Sequence, residues 1–185
     1  MKRVFAPERL DVVAFAAEAA SLSADDPVPN YPRLVQELAL PTPGAVVHWK
    51  AVGEQRTGAL GKAEPWMHLV AEATVPLVCQ RCLAPVDTLV ASDRWFRFVA
   101  DEATADAQDD ESGEDLLVVS RDFDLHALVE DELLMEIPVM PVHEVCPAPL
   151  QLSSSDEDFN AAEEAKPNPF AVLGALRSGK PEEGK

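Results

Sequence analysis

Residues 76–85 have the sequence PLVCQRCLAP and connect two segments with β-strand periodicity. They contain two of the three cysteines, Cys79 and Cys82, in a Cys-x-x-Cys spacing. At the end of a strand this spacing forms a tight turn that directs both thiols toward one position. Such a turn is suited to a tetrahedral metal ion or to a redox pair.

The segments on both sides of the turn predict an antiparallel sheet. Residues 66–75 alternate apolar and polar side chains, and residues 45–52, 86–92 and 94–99 show the same period of two. A further short strand is predicted at residues 116–119. Because the links between successive strands are short, we expect neighbouring strands to run antiparallel.

Three segments predict helices that pack on this sheet. They are residues 8–20, residues 33–38 and a helix that ends at Glu136. Asp122 or Asp124 caps the last of these helices, and Pro138 stops it. We therefore predict an α+β fold in which an antiparallel β-sheet is flanked by helices, in a single domain over residues 1–150.

The acidic charge is concentrated in the second half of the chain. The net charge is -18, and residues 101–185 hold 22 of the 33 acids but only 5 of the 15 bases. Residues 101–115 contain eight acids and no base, which predicts a mobile, disordered loop exposed to solvent. Residues 151–185 predict a polar, largely disordered tail with a short amphipathic segment at residues 169–177.

This composition restricts the partners and the compartment. A strongly acidic protein repels membrane surfaces and the phosphates of DNA and RNA, and it attracts basic proteins. No segment approaches the roughly 18 uninterrupted apolar residues that a membrane span requires. Three cysteines are too few for a disulfide scaffold, and their odd number argues against a fully paired secreted protein. We therefore expect a reduced protein of the cytoplasm.

A candidate metal site combines the cysteine turn with a second pair near residue 145. Cys79 and Cys82 with His143 and Cys146 supply three thiols and one imidazole, a donor set that zinc accepts in a tetrahedron. The alternative is three reduced structural thiols beside a surface histidine. A thioredoxin-like redox pair is disfavoured, because the residues after Cys82 do not begin a helix.

The acidic face of the last predicted helix is the second candidate site. Glu130, Asp131, Glu132 and Glu136 have no basic partner within that helix. Paired carboxylates are able to perform acid/base chemistry or hold a hard cation. The sequence offers no nucleophile, histidine partner or glycine loop to accompany them, and we predict no catalytic residue. A solvated face that contacts a partner is the favoured interpretation.

Arg81, Arg94 and Arg97 form the only basic concentration in the chain. These side chains either contact phosphate or balance nearby carboxylates such as Asp87 and Asp93. The second interpretation is favoured, because scattered arginines on a strand are ordinary surface residues.

Three blocks of sequence together resemble the bacterial YceD family, the large ribosomal RNA subunit accumulation proteins. The blocks are VCQRC at residues 78–82, LVEDELL at 128–134 running into IPVMPVH at 137–143, and KPNPFAVL at 166–173. The resemblance spans roughly residues 70–176. It implies a role in synthesis, processing or stability of 23S ribosomal RNA, without an established catalytic activity or agreed site residues.

Two functions are compatible with these observations. The first is a non-enzymatic ribosome biogenesis factor whose acidic surface contacts a basic ribosomal protein or a large-subunit assembly intermediate. Its only expected cofactor is a structural zinc ion. The second is an RNA-binding module or RNA-processing enzyme that contacts 23S rRNA through the Cys79–Cys82 turn and the three arginines. The charge balance favours the first.

Overall fold

The computed structural model describes residues 3–58, 61–109, 112–148 and 170. Contacts divide the chain into Met1–Pro147 and Ala148–Lys185, and every element named below lies in the first unit. The tail predicted at residues 151–185, with its amphipathic segment at 169–177, lies outside the described residues apart from Phe170.

A five-stranded sheet organises the described part of the chain. Its strands are β1 (Ser21–Pro27), β2 (Val46–Thr57), β3 (Ala63–Val78), β4 (Pro85–Val99) and β5 (Asp115–Val118), in the spatial order β1-β2-β3-β4-β5. The first four strands form an antiparallel meander. The antiparallel pairing of β2, β3 and β4 was predicted, although residues 86–92 and 94–99 form one strand instead of two, and β1 was not predicted. The prediction is wrong for β5, which runs parallel to β4 because the chain crosses over before it returns to the sheet edge.

Four α-helices accompany the sheet in the described residues. They are α1 (Val12–Ala17), α2 (Pro32–Gln36), α3 (Glu102–Gln108) and α4 (Leu125–Met135), with 3-10 turns at Pro7–Arg9 and Val28–Asn30. The side chain of Asp124 caps α4 by accepting a hydrogen bond from the Ala127 N–H at 3.0 Å. The predicted α+β class is therefore confirmed, with one of the two candidate caps selected.

Helix α3 corrects the prediction that residues 101–115 form a loop without regular structure. The side chain of Asp101 accepts hydrogen bonds from the backbone N–H of Thr104 at 2.8 Å and from its hydroxyl at 2.7 Å. This cap satisfies one free N–H group of the first turn, and three alanines within the helix favour its propagation. Local capping and propensity therefore outweigh the density of like charges.

Strand β1 lies between the first two predicted helices, where no strand was predicted. Asp26 belongs to this edge strand, and its carboxylate accepts hydrogen bonds from the Tyr31 hydroxyl at 3.0 Å and the Trp49 indole at 2.6 Å. Burial, followed by the charge of Asp26, raises the pKa of Tyr31. The Asp26 carboxylate is therefore satisfied by tertiary contacts that the local pattern does not contain.

The helices bury one face of the sheet. The core includes Phe15 from α1, Leu34 from α2, Leu69 from β3 and Leu133 from α4. Gly53 on β2 allows the close approach of α1, because a Cβ atom there would lie 2.6 Å from the Phe15 carbonyl oxygen. No helix in the described ranges has the length and apolar character needed to cross a bilayer.

The opposite face of strands β2 to β4 carries an aromatic cluster. The Arg56 guanidinium lies 4.2 Å from the centre of the Trp66 ring and 4.0 Å from that of Trp95. His68 stacks on Trp95 with 4.5 Å between ring centres. Neighbouring side chains of the same face therefore cover the two indole rings.

Candidate metal centre

The structure brings the two predicted ligand pairs together. One ligand atom from each of Cys79, Cys82, His143 and Cys146 lies within 4.8 Å of all the others. With a Zn–S distance of about 2.3 Å, the sulfur atoms of a tetrahedral zinc site are about 3.8 Å apart. The three sulfur atoms and one nitrogen atom therefore form a group of the size and chemistry that a tetrahedral metal requires.

The Cys-x-x-Cys turn is closed by backbone hydrogen bonds at the end of the β3–β4 hairpin. The Leu83 N–H donates to the Cys79 carbonyl at 2.9 Å, and the Cys79 N–H donates to the Ala84 carbonyl at 3.0 Å. Leu83 adopts a φ of 60°, in the left-handed region that favours glycine. This conformation reverses the chain directly after Cys82, so both cysteines stay on the same side of the turn.

The segment that carries His143 and Cys146 is attached to this turn mainly through backbone carbonyls. The Gln80 N–H donates to the Pro141 carbonyl at 2.9 Å, and the Arg81 guanidinium donates to the carbonyl of His143. Sequence reasoning missed the roles of Gln80 and Arg81. Carbonyl acceptors are present at every residue, so such contacts leave no signal in the sequence.

The hydrogen bonds of His143 determine which ring nitrogen faces the cysteines. Its Nε2 lies 3.0 Å from the Pro85 carbonyl, which accepts but does not donate, so Nε2 carries the proton. In the neutral imidazole, Nδ1 is then unprotonated, and it lies 3.4 Å from the Cys82 sulfur. A metal-ligating histidine commonly has this arrangement, with its outer N–H held by a carbonyl.

The thiols of the centre differ in acidity. Burial acts to raise the pKa of Cys79, but hydrogen bonds from the backbone N–H groups of Cys82, His143 and Arg81 outweigh it and lower the pKa to about 5. Burial raises the pKa of Cys146, and its hydrogen bond with Cys82 adds to that effect. The surroundings thus favour the thiolate at Cys79, the form that binds a metal ion.

The predicted solvated acidic helix face is wrong for Glu130, which is 5% exposed. Its Oε1 accepts hydrogen bonds from the backbone N–H groups of Arg33 at 2.6 Å and Leu34 at 3.1 Å. Its Oε2 accepts from the Arg33 Nε at 2.9 Å. Because α2 has no side-chain cap of its own, Glu130 supplies that cap from α4.

Glu132 is also buried, at 8% exposure, and is bound within the fold. It accepts a hydrogen bond from the Ser92 hydroxyl at 2.8 Å and pairs with the Arg94 guanidinium at 3.2 Å. Burial raises the pKa of Glu132, although the Ser92 hydrogen bond opposes that effect. Of the other two predicted residues, Asp131 pairs with Arg33 and Glu136 pairs with Arg94.

The three arginines are bound within the protein. Arg94 pairs with Asp115 at 3.2 Å, and Arg97 pairs with Glu114 at 2.8 Å. These partners are carboxylates, as the favoured interpretation required, but they are not the predicted Asp87 and Asp93. Arg81 donates to the carbonyl of His143 beside the cysteine–histidine group, as described above.

The structure defines an α+β protein whose central hairpin ends in a group of three cysteines and one histidine. The family model of the large ribosomal RNA subunit accumulation protein YceD matches residues 67–177, more than half of the chain. The chain belongs to the YceD family.

A curated relative gives the same family. The large ribosomal RNA subunit accumulation protein YceD of Haemophilus influenzae is 33% identical over 116 residues, which cover 56% of this chain and 60% of that protein. The match thus extends over less than two thirds of the relative's length. No solved structure matches the chain.

Proposed function

We propose that this protein is a non-enzymatic factor of the cytoplasm that promotes the accumulation of 23S ribosomal RNA through its synthesis, processing or stability. It acts by contacting a basic protein of the large ribosomal subunit or of an assembly intermediate. Membership of the YceD family carries this proposal, since the matched relative is named for large ribosomal RNA subunit accumulation. The net charge of -18 supports a basic protein as partner, because it opposes direct contact with RNA phosphates.

The exposed acidic surface in this proposal is α3 with its C-cap residue Asp109, rather than α4. Glu102, Asp106 and Asp109 are exposed, and no ion pair reaches them within the described residues. On α4, the carboxylates of Glu130 and Glu132 are buried and already bound. Unpaired, solvated carboxylates attract a basic partner at long range, whereas paired carboxylates contribute little to that attraction.

The test is a charge reversal with a matched control. The variant Glu102→Lys, Asp106→Lys, Asp109→Lys is compared with Glu8→Lys, Glu18→Lys, Glu37→Lys, which changes the charge equally at other exposed acids. Purified large-subunit proteins are titrated against both, and 23S rRNA is quantified in cells that depend on each variant. We expect the α3 variant alone to lose binding and rRNA accumulation. Equal effects of both variants would contradict a local acidic contact.

Cys79, Cys82, His143 and Cys146 hold a structural zinc ion in this proposal. The donor set and the orientation of the His143 ring support it. A bound zinc would link the β3–β4 turn to the segment around residue 143. Mass spectrometry of protein purified under reducing conditions is expected to find one zinc per chain, lost in Cys79→Ser, Cys82→Ser. The control His48→Ala removes a histidine outside the group and keeps the metal. Metal-free wild-type protein would exclude the zinc clamp.

The alternative function, direct contact with 23S rRNA through the cysteine turn and Arg81, Arg94 and Arg97, has less support. Each of these guanidinium groups already binds carboxylates or backbone carbonyls. Binding of the purified protein to naked 23S fragments, with an affinity that falls steeply as salt rises, would favour this alternative.

A further inference from the structure

Strand β4 has a long edge without a partner in the described part of the chain. It pairs with β3 from Pro85 to Arg97, but with β5 only from Phe96 to Val99. Residues 86–95 therefore have a neighbouring strand on one side only. The ladder with β3 continues through this stretch without a break in register, so no bulge interrupts it.

Hydrogen bonds at both ends of β4 show which backbone groups face this edge. The Val99 carbonyl accepts from the Val119 N–H on the β5 side, and the Pro85 carbonyl accepts from His143 rather than from β3. The Ala84 carbonyl, one residue earlier, accepts from Cys79 at the end of β3. In an antiparallel strand the N–H and C=O of alternate residues point to the same side. The odd-numbered residues Asp87, Leu89, Ala91 and Asp93 therefore direct their N–H and C=O groups to the free edge.

This edge lacks most of the features that usually protect a sheet from further pairing. Natural edge strands are shortened, carry charged side chains or proline, or are twisted by bulges. The charged residues of 86–95 are Asp87, Asp93 and Arg94, and a basic segment complements the two acids. Here the only proline of β4 is its first residue, and residues 86–95 contain no lysine. Leu89 is 63% exposed and the side chain of Asp93 is 72% exposed, so the stretch is accessible from the outer face of the sheet.

The charges around the edge indicate which kind of partner segment can bind there. Asp87 and Asp93 lie along it, the latter in contact with His68. The one base of residues 86–95, Arg94, is already bound by Asp115, Glu132 and Glu136. A second copy of this chain would bring a further net charge of -18 against the first, which disfavours edge-to-edge dimers.

We propose that the free edge of β4 is a docking site for an extended basic segment of a partner protein, which adds a strand to the sheet. Main-chain hydrogen bonds supply the affinity in this mode, and charge complementarity selects the partner. The inference rests on the proposed function, whose partner is a basic protein, and it specifies the shape of the segment that is bound. The docked strand would lie along β4, between the cysteine–histidine group at one end and β5 at the other.

The probe is a synthetic peptide of about ten residues with alternating lysine and valine, which forms a basic strand. A peptide with glutamate in place of lysine is its control. Titration measures affinity for the full chain, and amide hydrogen exchange by NMR locates the contact. We expect only the lysine peptide to bind, with slower exchange at the amides of Asp87, Leu89, Ala91 and Asp93. Protection of other amides, or no binding, would overturn the proposal, as would a salt-independent dimer formed through this edge.

Two variants distinguish the contribution of the Ala91 backbone N–H to peptide binding from that of its side chain. Ala91→Pro removes one outward N–H while the hydrogen bonds to β3 remain, and proline is tolerated at such an edge position. Ala91→Val changes the side chain and keeps the N–H. We expect about tenfold weaker peptide binding for Ala91→Pro and unchanged binding for Ala91→Val, with circular dichroism to verify that both are folded. Equal binding by both variants would exclude strand addition.

The outcome distinguishes this inference from the proposed function. Protection of the β4 amides, together with wild-type rRNA accumulation in the α3 charge-reversal cells, would retain the docking site and reject the acidic α3 contact. Loss of rRNA accumulation in those cells, without protection of the β4 amides, would retain the acidic α3 contact and reject the docking site.

Discussion

Helices α3 and α4 are both rich in acidic residues, but their carboxylates have different roles. On α4, Glu130 and Glu132 are buried against Arg33 and Arg94, and they hold other elements in place. On α3, the exposed acids have no basic partner among the described residues. The difference shows that an acidic cluster in a sequence specifies charge alone. Whether a carboxylate is structural or free depends on which bases the fold brings to it.

The largest effect that separates the two helices is expected at Glu130. The substitution Glu130→Ala leaves the backbone N–H groups of Arg33 and Leu34 without an acceptor at the start of α2. We expect the free energy of unfolding to fall by about 3 kcal/mol, since buried donors lose a charged partner. Urea denaturation monitored by tryptophan fluorescence measures this change.

Asp131→Ala is the matched control for Glu130→Ala. It removes the neighbouring carboxylate, whose side chain is 53% exposed and pairs with the same arginine. Its expected cost is below about 0.5 kcal/mol, as for other exposed ion pairs. If both substitutions had the same small cost, Glu130 would not act as the cap of α2.

An intermediate effect, dependent on pH, is expected at Glu132. Because burial raises its pKa above the ordinary value of 4.5, the folded state favours the protonated form. The stability contribution of Glu132 is therefore greatest below the ordinary pKa and declines as pH rises through the raised one. We expect Glu132→Gln to change the free energy of unfolding by less than about 1 kcal/mol at pH 7. We also expect the stability of the variant relative to the wild type to increase as the pH rises from acidic to neutral. Thermal unfolding of both proteins across this pH range is the measurement. A wild type that becomes more stable relative to the variant as the pH rises would contradict the prediction.

The smallest effect is expected on α3. Neutralising its exposed acids by Glu102→Gln, Asp106→Asn, Asp109→Asn, with the Asp101 cap retained, removes like-charge repulsion but no ion pair of the described residues. We expect a change within about 0.5 kcal/mol and a weaker dependence of stability on salt. Urea denaturation at low and high salt tests this. A loss as large as that of Glu130→Ala would show that α3, like α4, uses its acids structurally.

The sequence predicted the elements whose pattern is local and missed those that depend on distant contacts. β2 and β3 were predicted because one face of each is buried, which produces a period of two. β1 was missed because the carboxylate of its Asp26 is satisfied by Tyr31 and Trp49, contacts that a local pattern does not show. The parallel pairing of β5 with β4 could not be predicted, because the sequence of a four-residue strand does not indicate the direction in which it pairs.

The candidate site shows the same division. Thiols and an imidazole are rare enough that two short spacings predicted the group formed by Cys79, Cys82, His143 and Cys146. The residues that position it were not predicted, because Gln80 and Pro85 act through backbone atoms. The acidic face was misinterpreted because the base that binds Glu130 is 97 residues away in the chain.

The contact between Glu130 and α2 also affects the order in which the protein folds during its synthesis. Strands β1 to β4 follow one another in both the chain and the sheet, so they can pair as soon as residue 99 leaves the ribosome. Helix α2 receives its cap only when α4 has been made, and the part of the core face that α4 covers stays exposed until then. A nascent chain halted before Leu125 therefore presents this apolar part of the sheet to chaperones, and synthesis of α4 completes the cover.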